Sequence, residues 1–158
     1  MACCRETVVS KSCTHEQMLA RHGFDLGTPI SGSMRPMIRP RRDSVLFVPL
    51  QGRLKKGDVA LYRRDGMAVM HRVLRVGKTG YIIRGDNSSE KETIREEQII
   101  AVMKGFYRDE QYIEANDLRY RAYAWIWPKL HGLLVLYKRL PEGLRARMKR
   151  MLHPVRKT

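Results

Sequence analysis

The sequence has little with which to cross-link itself and no stretch suited to crossing a bilayer. Its three cysteines, Cys3, Cys4 and Cys13, crowd the first thirteen residues, and no pair is spaced Cys-x-x-Cys. An odd number without zinc-ligand spacing argues against a disulfide framework, and against a metal site even with His15 close by. No metal and no cofactor is expected. Free thiols at a terminus suit a reducing compartment. No apolar run precedes Gly23, so no secretory signal peptide is expected. The longest apolar stretch, Tyr123–Tyr137, is fifteen residues and is interrupted by Pro128, Lys129 and His131. A membrane span needs about 20 apolar residues, so this stretch falls short. Acidic residues are nearly missing from 118–158, where Glu142 stands against eleven Lys and Arg. That segment holds +10 of the formal charge of +15, which implies an anionic partner, either a membrane surface or nucleic acid.

With 158 residues the chain has room for one domain with a real core and an appendage. Residues 1–13 read as disordered. Thr14-His15-Glu16-Gln17 fits a capping box, and the helix it opens runs through Leu19 to a stop at Gly23. From Phe24 the pattern turns to strands: Val45–Val48, Val59–Tyr62, Met67–Val76, Tyr81–Ile83, Ile99–Tyr107 and Gln111–Glu114. Asp65-Gly66 is a hairpin signal, and Gly77–Gly80 a second turn. Strands so spaced predict a mainly β domain over 14–116, a small antiparallel coiled sheet or barrel. After Asn116 the composition changes. Leu144, Met148, Met151 and Leu152 recur at helical spacing among arginines and lysines. With Trp125 and Trp127 upstream, 117–158 reads as a basic amphipathic helical tail lying in a bilayer interface. The competing arrangement is a hairpin packed on the domain. On the first reading, removing everything after Asn116 leaves the domain folded.

Four short stretches carry the chemistry. Ser31-Gly32-Ser33-Met34-Arg35-Pro36 is a proline-fenced loop with two serines around a glycine. Lys56-Gly57-Asp58 enters the strand Val59–Tyr62. His71-Arg72-Val73 lies within the strand Met67–Val76, and Gly85-Asp86-Asn87 is a tight turn. In this order the four resemble the conserved boxes of type I signal peptidases and the wider clan of LexA-type self-cleaving serine peptidases. The resemblance covers roughly residues 22 to 107. Histidine, where bacterial members carry lysine, makes the chain similar to the endoplasmic-reticulum and archaeal type. Those relatives commonly have an N-terminal membrane anchor, which is not read in this sequence.

The resemblance implies that Ser33, the serine before methionine, is the nucleophile and His71 its general base. A serine hydroxyl needs such a base, and an imidazole with a pKa of about 6.5 can serve near neutrality. Strand alternation sets His71 with Val69 and Val73, an apolar setting that favours the neutral ring. Asp86 is the leading candidate to orient the imidazole, with Glu92 the alternative acid. In the histidine-type relatives a further aspartate follows the turn; here Glu90 and Glu92 follow. The resemblance also implies an oxyanion site built from the Ser33 amide and the Ser31 hydroxyl, with Gly32 letting the substrate backbone come close. The function expected is a serine endopeptidase that cleaves an extended peptide or leader sequence through an acyl-enzyme. Two alternatives stand beside it: an inactive relative that binds peptide, and a LexA-type nucleic-acid-associated regulator. The latter is disfavoured because residues 1–28 are too short for a helix-turn-helix. The protein is expected in the cytoplasm or peripherally on a membrane, on a side that the sequence leaves open.

Overall fold

A computed structural model describes residues 14–139 and Pro141, the side chains of 134–139 aside. The first thirteen residues and the Leu144–Leu152 repeat therefore lie outside the described residues. Helix α1, His15–His22, starts as the capping box requires. The Gln17 amide donates to the Thr14 hydroxyl, and the Gln17 side chain accepts from the Thr14 amide. It ends at Gly23, whose φ of 73° brings its own amide to the Leu19 carbonyl.

Eight strands follow: β1 Asp25–Gly27, β2 Ser44–Val48, β3 Val59–Arg64, β4 Met67–Val76, β5 Gly80–Arg84, β6 Glu92–Arg95, β7 Ile99–Arg108 and β8 Gln111–Glu114. All pairings are antiparallel, in the order β1-β2-β7-β3-β4-β5-β6, with β8 added to β7. The sheet is not closed, so the expected barrel is not formed and the strands make an open antiparallel sheet. Two short strands, β1 and β6, escape the sequence pattern because Asp25-Leu26-Gly27 and Glu92-Thr93-Ile94-Arg95 each hold a single large apolar residue and show no alternation. The β3–β4 turn is as expected. Asp65 and Gly66 both take positive φ, 49° and 78°, the combination that matches the right-handed twist of paired strands.

Alternation along β3 divides the core. Val59 and Leu61 face one cluster with Met34, Ile38, Val45, Phe47, Ala101, Met103 and Phe106. Ala60 and Tyr62 face the other, with Val73, Tyr81, Ile83 and Ile94. With apolar side chains on both faces of its central strands, the sheet needs cover from loops and helices as well as from its own strands.

Part of that cover comes from helix α2, Leu118–Arg139, which runs through Pro128 without stopping. Asp117 caps its start, accepting from the Arg119 amide at 2.7 Å. Tyr120 is 4% exposed within the first core cluster. Arg72 donates to the Tyr120 hydroxyl at 2.9 Å, Tyr123 donates to Asp86 at 3.2 Å, and the Trp127 indole donates to the Asp86 carbonyl at 2.8 Å. The segment after Asn116 thus begins as a packed part of the domain, and Trp127 is directed into the protein rather than toward a bilayer.

Candidate active site

The loop between β1 and β2 presents the two serines because its neighbours anchor it. Met34 and Ile38 are each 1% exposed and hold the loop to the core, and the Arg41 amide reaches back to the Pro29 carbonyl at 2.8 Å. Buried Asp43 fastens the loop's far side, accepting from the Arg39 amide and guanidinium and from Arg108. Ser33 is left half-buried, and its hydroxyl lies 3.1 Å from that of exposed Ser31. A second turn clamps the loop from the other side, where the Asn87 amide donates to the Ser33 carbonyl at 2.7 Å.

His71 comes from β4, directly across from Ala60 on β3, with Tyr62 its diagonal neighbour. The link between imidazole and serine is Gly85. A Cβ at that position would lie 3.1 Å from His71 Nε2, 3.1 Å from Ser33 Cβ and 2.7 Å from the Ser33 carbonyl oxygen. Nε2 and the serine side chain therefore converge on one small space that only a glycine leaves open. The turn was legible as a motif, but the need for its glycine was not, since the atoms that crowd it come from β4 and the serine loop. Gly32, by contrast, would meet only the Arg35 side chain, at 3.7 Å. Among the described residues nothing requires its lack of a side chain, which leaves approach to a ligand as the role open to it. Gly85→Ala is expected to cut any serine-dependent activity at least ~10-fold, because positioning errors of about an ångström cost that much or more. A Gly32→Ala control should keep the same melting temperature as the native chain. Equal activity for Gly85→Ala and the native protein would break the argument.

On the other side of the ring, Nδ1 lies 3.0 Å from the Tyr62 hydroxyl and 3.4 Å from Glu92 Oε1. Tyr62 donates to Glu92 Oε2 at 2.8 Å, and Arg64 donates to Glu92 Oε1 at 2.7 Å. With its proton committed to Glu92, the Tyr62 oxygen accepts from His71 Nδ1–H. That selects the tautomer whose unprotonated Nε2 faces the Gly85 gap. Burial pushes the His71 pKa below its ordinary value; the Glu92 charge opposes this and Arg64 reinforces it. Burial would raise the Glu92 carboxyl, but hydrogen bonds from Tyr62 and Arg64 outweigh it and hold the group below the usual range, so Glu92 is an anion at neutrality. Burial, and then Glu92, raise the Tyr62 phenol, which stays a protonated donor.

Asp86, the leading candidate for this task, is engaged elsewhere. Its two oxygens accept from Arg72 Nε and Nη2 at 2.7 Å each, and Tyr123 adds a third hydrogen bond. Arg72 and Asp86 side chains are 0% and 2% exposed, and the pair joins β4, the Gly85–Asn87 turn and α2. The carboxylate on the His71 side is Glu92, the alternative acid of the sequence. Tyr62 as the group between them was not foreseen. The diagonal spacing of Tyr62 and His71 across the β3–β4 hairpin could have suggested it.

A groove of about 660 Å³ opens over these groups, lined by the Gly27–Ser31 stretch, Met67–His71 of β4, Ser88, Glu90 and Glu92. Among the described residues no cluster of His, Cys, Asp or Glu could hold a metal. Compared with known protein families and with curated proteins, the chain matches none.

Proposed function

We propose that this chain is a serine endopeptidase of the signal-peptidase-like type, in which Ser33 attacks a peptide carbonyl and His71 takes its proton. One observation carries the reading: Ser33 Cβ and His71 Nε2 both border the Gly85 position, each 3.1 Å from where a Cβ would lie, while Nδ1 is held by Tyr62 with the Glu92 carboxylate 3.4 Å away. His71 accepts the hydroxyl proton on Nε2, forming an imidazolium that Tyr62 and Glu92 stabilise from Nδ1. It then returns the proton to the leaving amine, and water repeats the cycle on the acyl-enzyme. Ser31 and the Ser33 amide are the proposed oxyanion donors. Glu92 is assigned the third role, with Tyr62 as a positioning residue between it and the base.

The groove supports an extended peptide as substrate. Strand β4 pairs with β3 along Met67–Arg72 but with β5 only from Arg72 onward, so among the described residues one edge of Met67–His71 is unpaired. Strand β1 is the last strand of the sheet at the other wall. Backbone groups on such edges can pair with an added strand, and side-chain pockets then select residues alternately.

The test is digestion of a random peptide library by the native protein and by Ser33→Ala, read by mass spectrometry. New termini made only by the native protein support the reading. Binding of peptides without any new terminus would leave a peptide-binding protein that does not cut. Glu92→Gln should lower kcat/KM by roughly 10²-fold, the low end for loss of acid–base support. Tyr62→Phe should cost about tenfold, because the direct Glu92 contact to Nδ1 survives. Asp86→Asn variants that remain folded should exceed Glu92→Gln in activity. The opposite ranking would return the third role to Asp86.

The pH profile has a fixed sign. A base whose pKa is lowered remains neutral to lower pH, so the acid limb of kcat/KM should fall below the reference 6.5. Glu92→Gln removes the charge that favours imidazolium and should move that limb further to acid, whereas Arg64→Gln should move it back. An acid limb that ignores both substitutions would mean another group titrates.

A further inference from the structure

Helix α2 has two apolar sides, and among the described residues only one of them packs on the domain. Tyr120, Ala124, Trp127 and His131 form the docked side, with spacings of three and four residues. Roughly opposite, Leu118 is 79% exposed, Trp125 64%, Ile126 50%, Leu130 43% and Leu133 63%. Apolar side chains this large and this exposed along one helix side mark an interaction surface. Basic residues run along the same side: Arg119 is exposed, and Lys129 sits with its ammonium 3.4 Å from the Trp125 ring centroid.

We propose that this outer side of α2 docks the folded domain flat onto an anionic lipid surface, with Trp125, Ile126 and Leu133 entering the interface. Charge selects this occupant over a second copy of the chain. Residues 118–158 carry eleven Lys and Arg against one acid, so two such surfaces repel each other, whereas anionic headgroups attract them. Chain length points the same way. The sequence continues beyond α2 with Arg145, Arg147, Lys149, Arg150, Arg156 and Lys157, so further cations follow it in the chain. Among the described residues no helix is long and apolar enough to cross a membrane, which fits a helix lying in the interface rather than through it. Lys129 need not be expelled, since a long stem lets its charge reach the headgroups while Trp125 stays at the apolar boundary. Because the docked side of α2 holds Asp86 and, through that turn, the Ser33 loop, the surface would be joined rigidly to the catalytic groups rather than through a loose tether.

The experiment is co-sedimentation of the full chain with phosphatidylglycerol–phosphatidylcholine vesicles and with phosphatidylcholine alone, at low and high salt. Two variants accompany it, Trp125→Ser and Leu133→Ser, which replace exposed side chains without changing charge. The native protein should partition onto anionic vesicles, bind phosphatidylcholine weakly and lose binding as salt screens the charges. Each variant should partition several-fold less while melting at the native temperature, since buried apolar area sets part of the affinity. Variants that bind as the native chain does would mean that cations alone hold the vesicle, overturning the docked face. Native protein that stays in solution at low salt would overturn the lipid surface altogether. A native dimer in light scattering that Leu133→Ser dissociates would give the face to a second copy. None of these readouts depends on peptide cleavage.

Discussion

Ser33→Ala and His71→Ala should each abolish peptide cleavage, lowering kcat by roughly 10⁴-fold or more, and the double variant should be no worse than either single one. Groups that act as a unit in one proton transfer are non-additive, because a hydroxyl without its base and a base without its hydroxyl are equally ineffective. Neither substitution should unfold the chain. Ser33 is half-buried and, among the described residues, its hydroxyl is bonded to Ser31, and His71→Ala removes a ring that lines the groove while leaving the β3–β4 ladder intact. The check is cleavage of whichever library peptide the native protein cuts best, with melting curves recorded alongside. Additive losses, with the double variant slower than both singles by the product of their effects, would show that the residues act independently and would end the nucleophile–base assignment.

The other large effect concerns stability. Arg72→Leu should destabilise the domain by about 3–5 kcal/mol, because it leaves the Asp86 carboxylate buried without a partner. That is a large share of the roughly 5–15 kcal/mol that holds a typical domain together. Replacing both residues together, Arg72→Leu with Asp86→Leu, should recover much of the loss, since two apolar groups of suitable size can take the place of a buried ion pair. Truncation after Asn116 is the extreme case. It removes Tyr120 from the core, the Tyr123 and Trp127 hydrogen bonds from Asp86, and the cover over Arg72. The truncated domain should therefore melt far below the intact chain or fail to fold. Chemical denaturation of the set decides the matter: a truncated form as stable as the intact one would mean that α2 merely rests on the sheet. The two experiments also separate the acids. Asp86 should matter chiefly to denaturation midpoints, Glu92 chiefly to the pH profile.

Much of this could be read along the chain because it depends on near neighbours. The Thr14–Gln17 box, the stop at Gly23, the Asp65-Gly66 turn and the alternation of Met67–Val76 are local, and local hydrogen bonds or backbone preferences settle them. The serine loop, the β4 histidine and the glycine turn were legible as residue types in order. Strands β1 and β6 were not, since each has a single large apolar residue and owes its extended form to the strand beside it.

What the sequence by itself determined is therefore the inventory: a β-rich domain, a serine and a histidine able to form a nucleophile and base, two acids able to orient that base, and a strongly basic C-terminal segment. Only the tertiary structure decided how these were distributed. Strand alternation sends Arg72 to the opposite face from His71, and there Asp86 neutralises an arginine that could not be buried alone. Antiparallel register sets Glu92 opposite Ile83 and Tyr62 diagonal to His71, so that the acid and the phenol meet at Nδ1. The same buried pair fixes α2, turning one side of that helix into core and leaving the other exposed. A sequence states which groups can ionise or be buried; which of them meet depends on register and on the need to pair every buried charge.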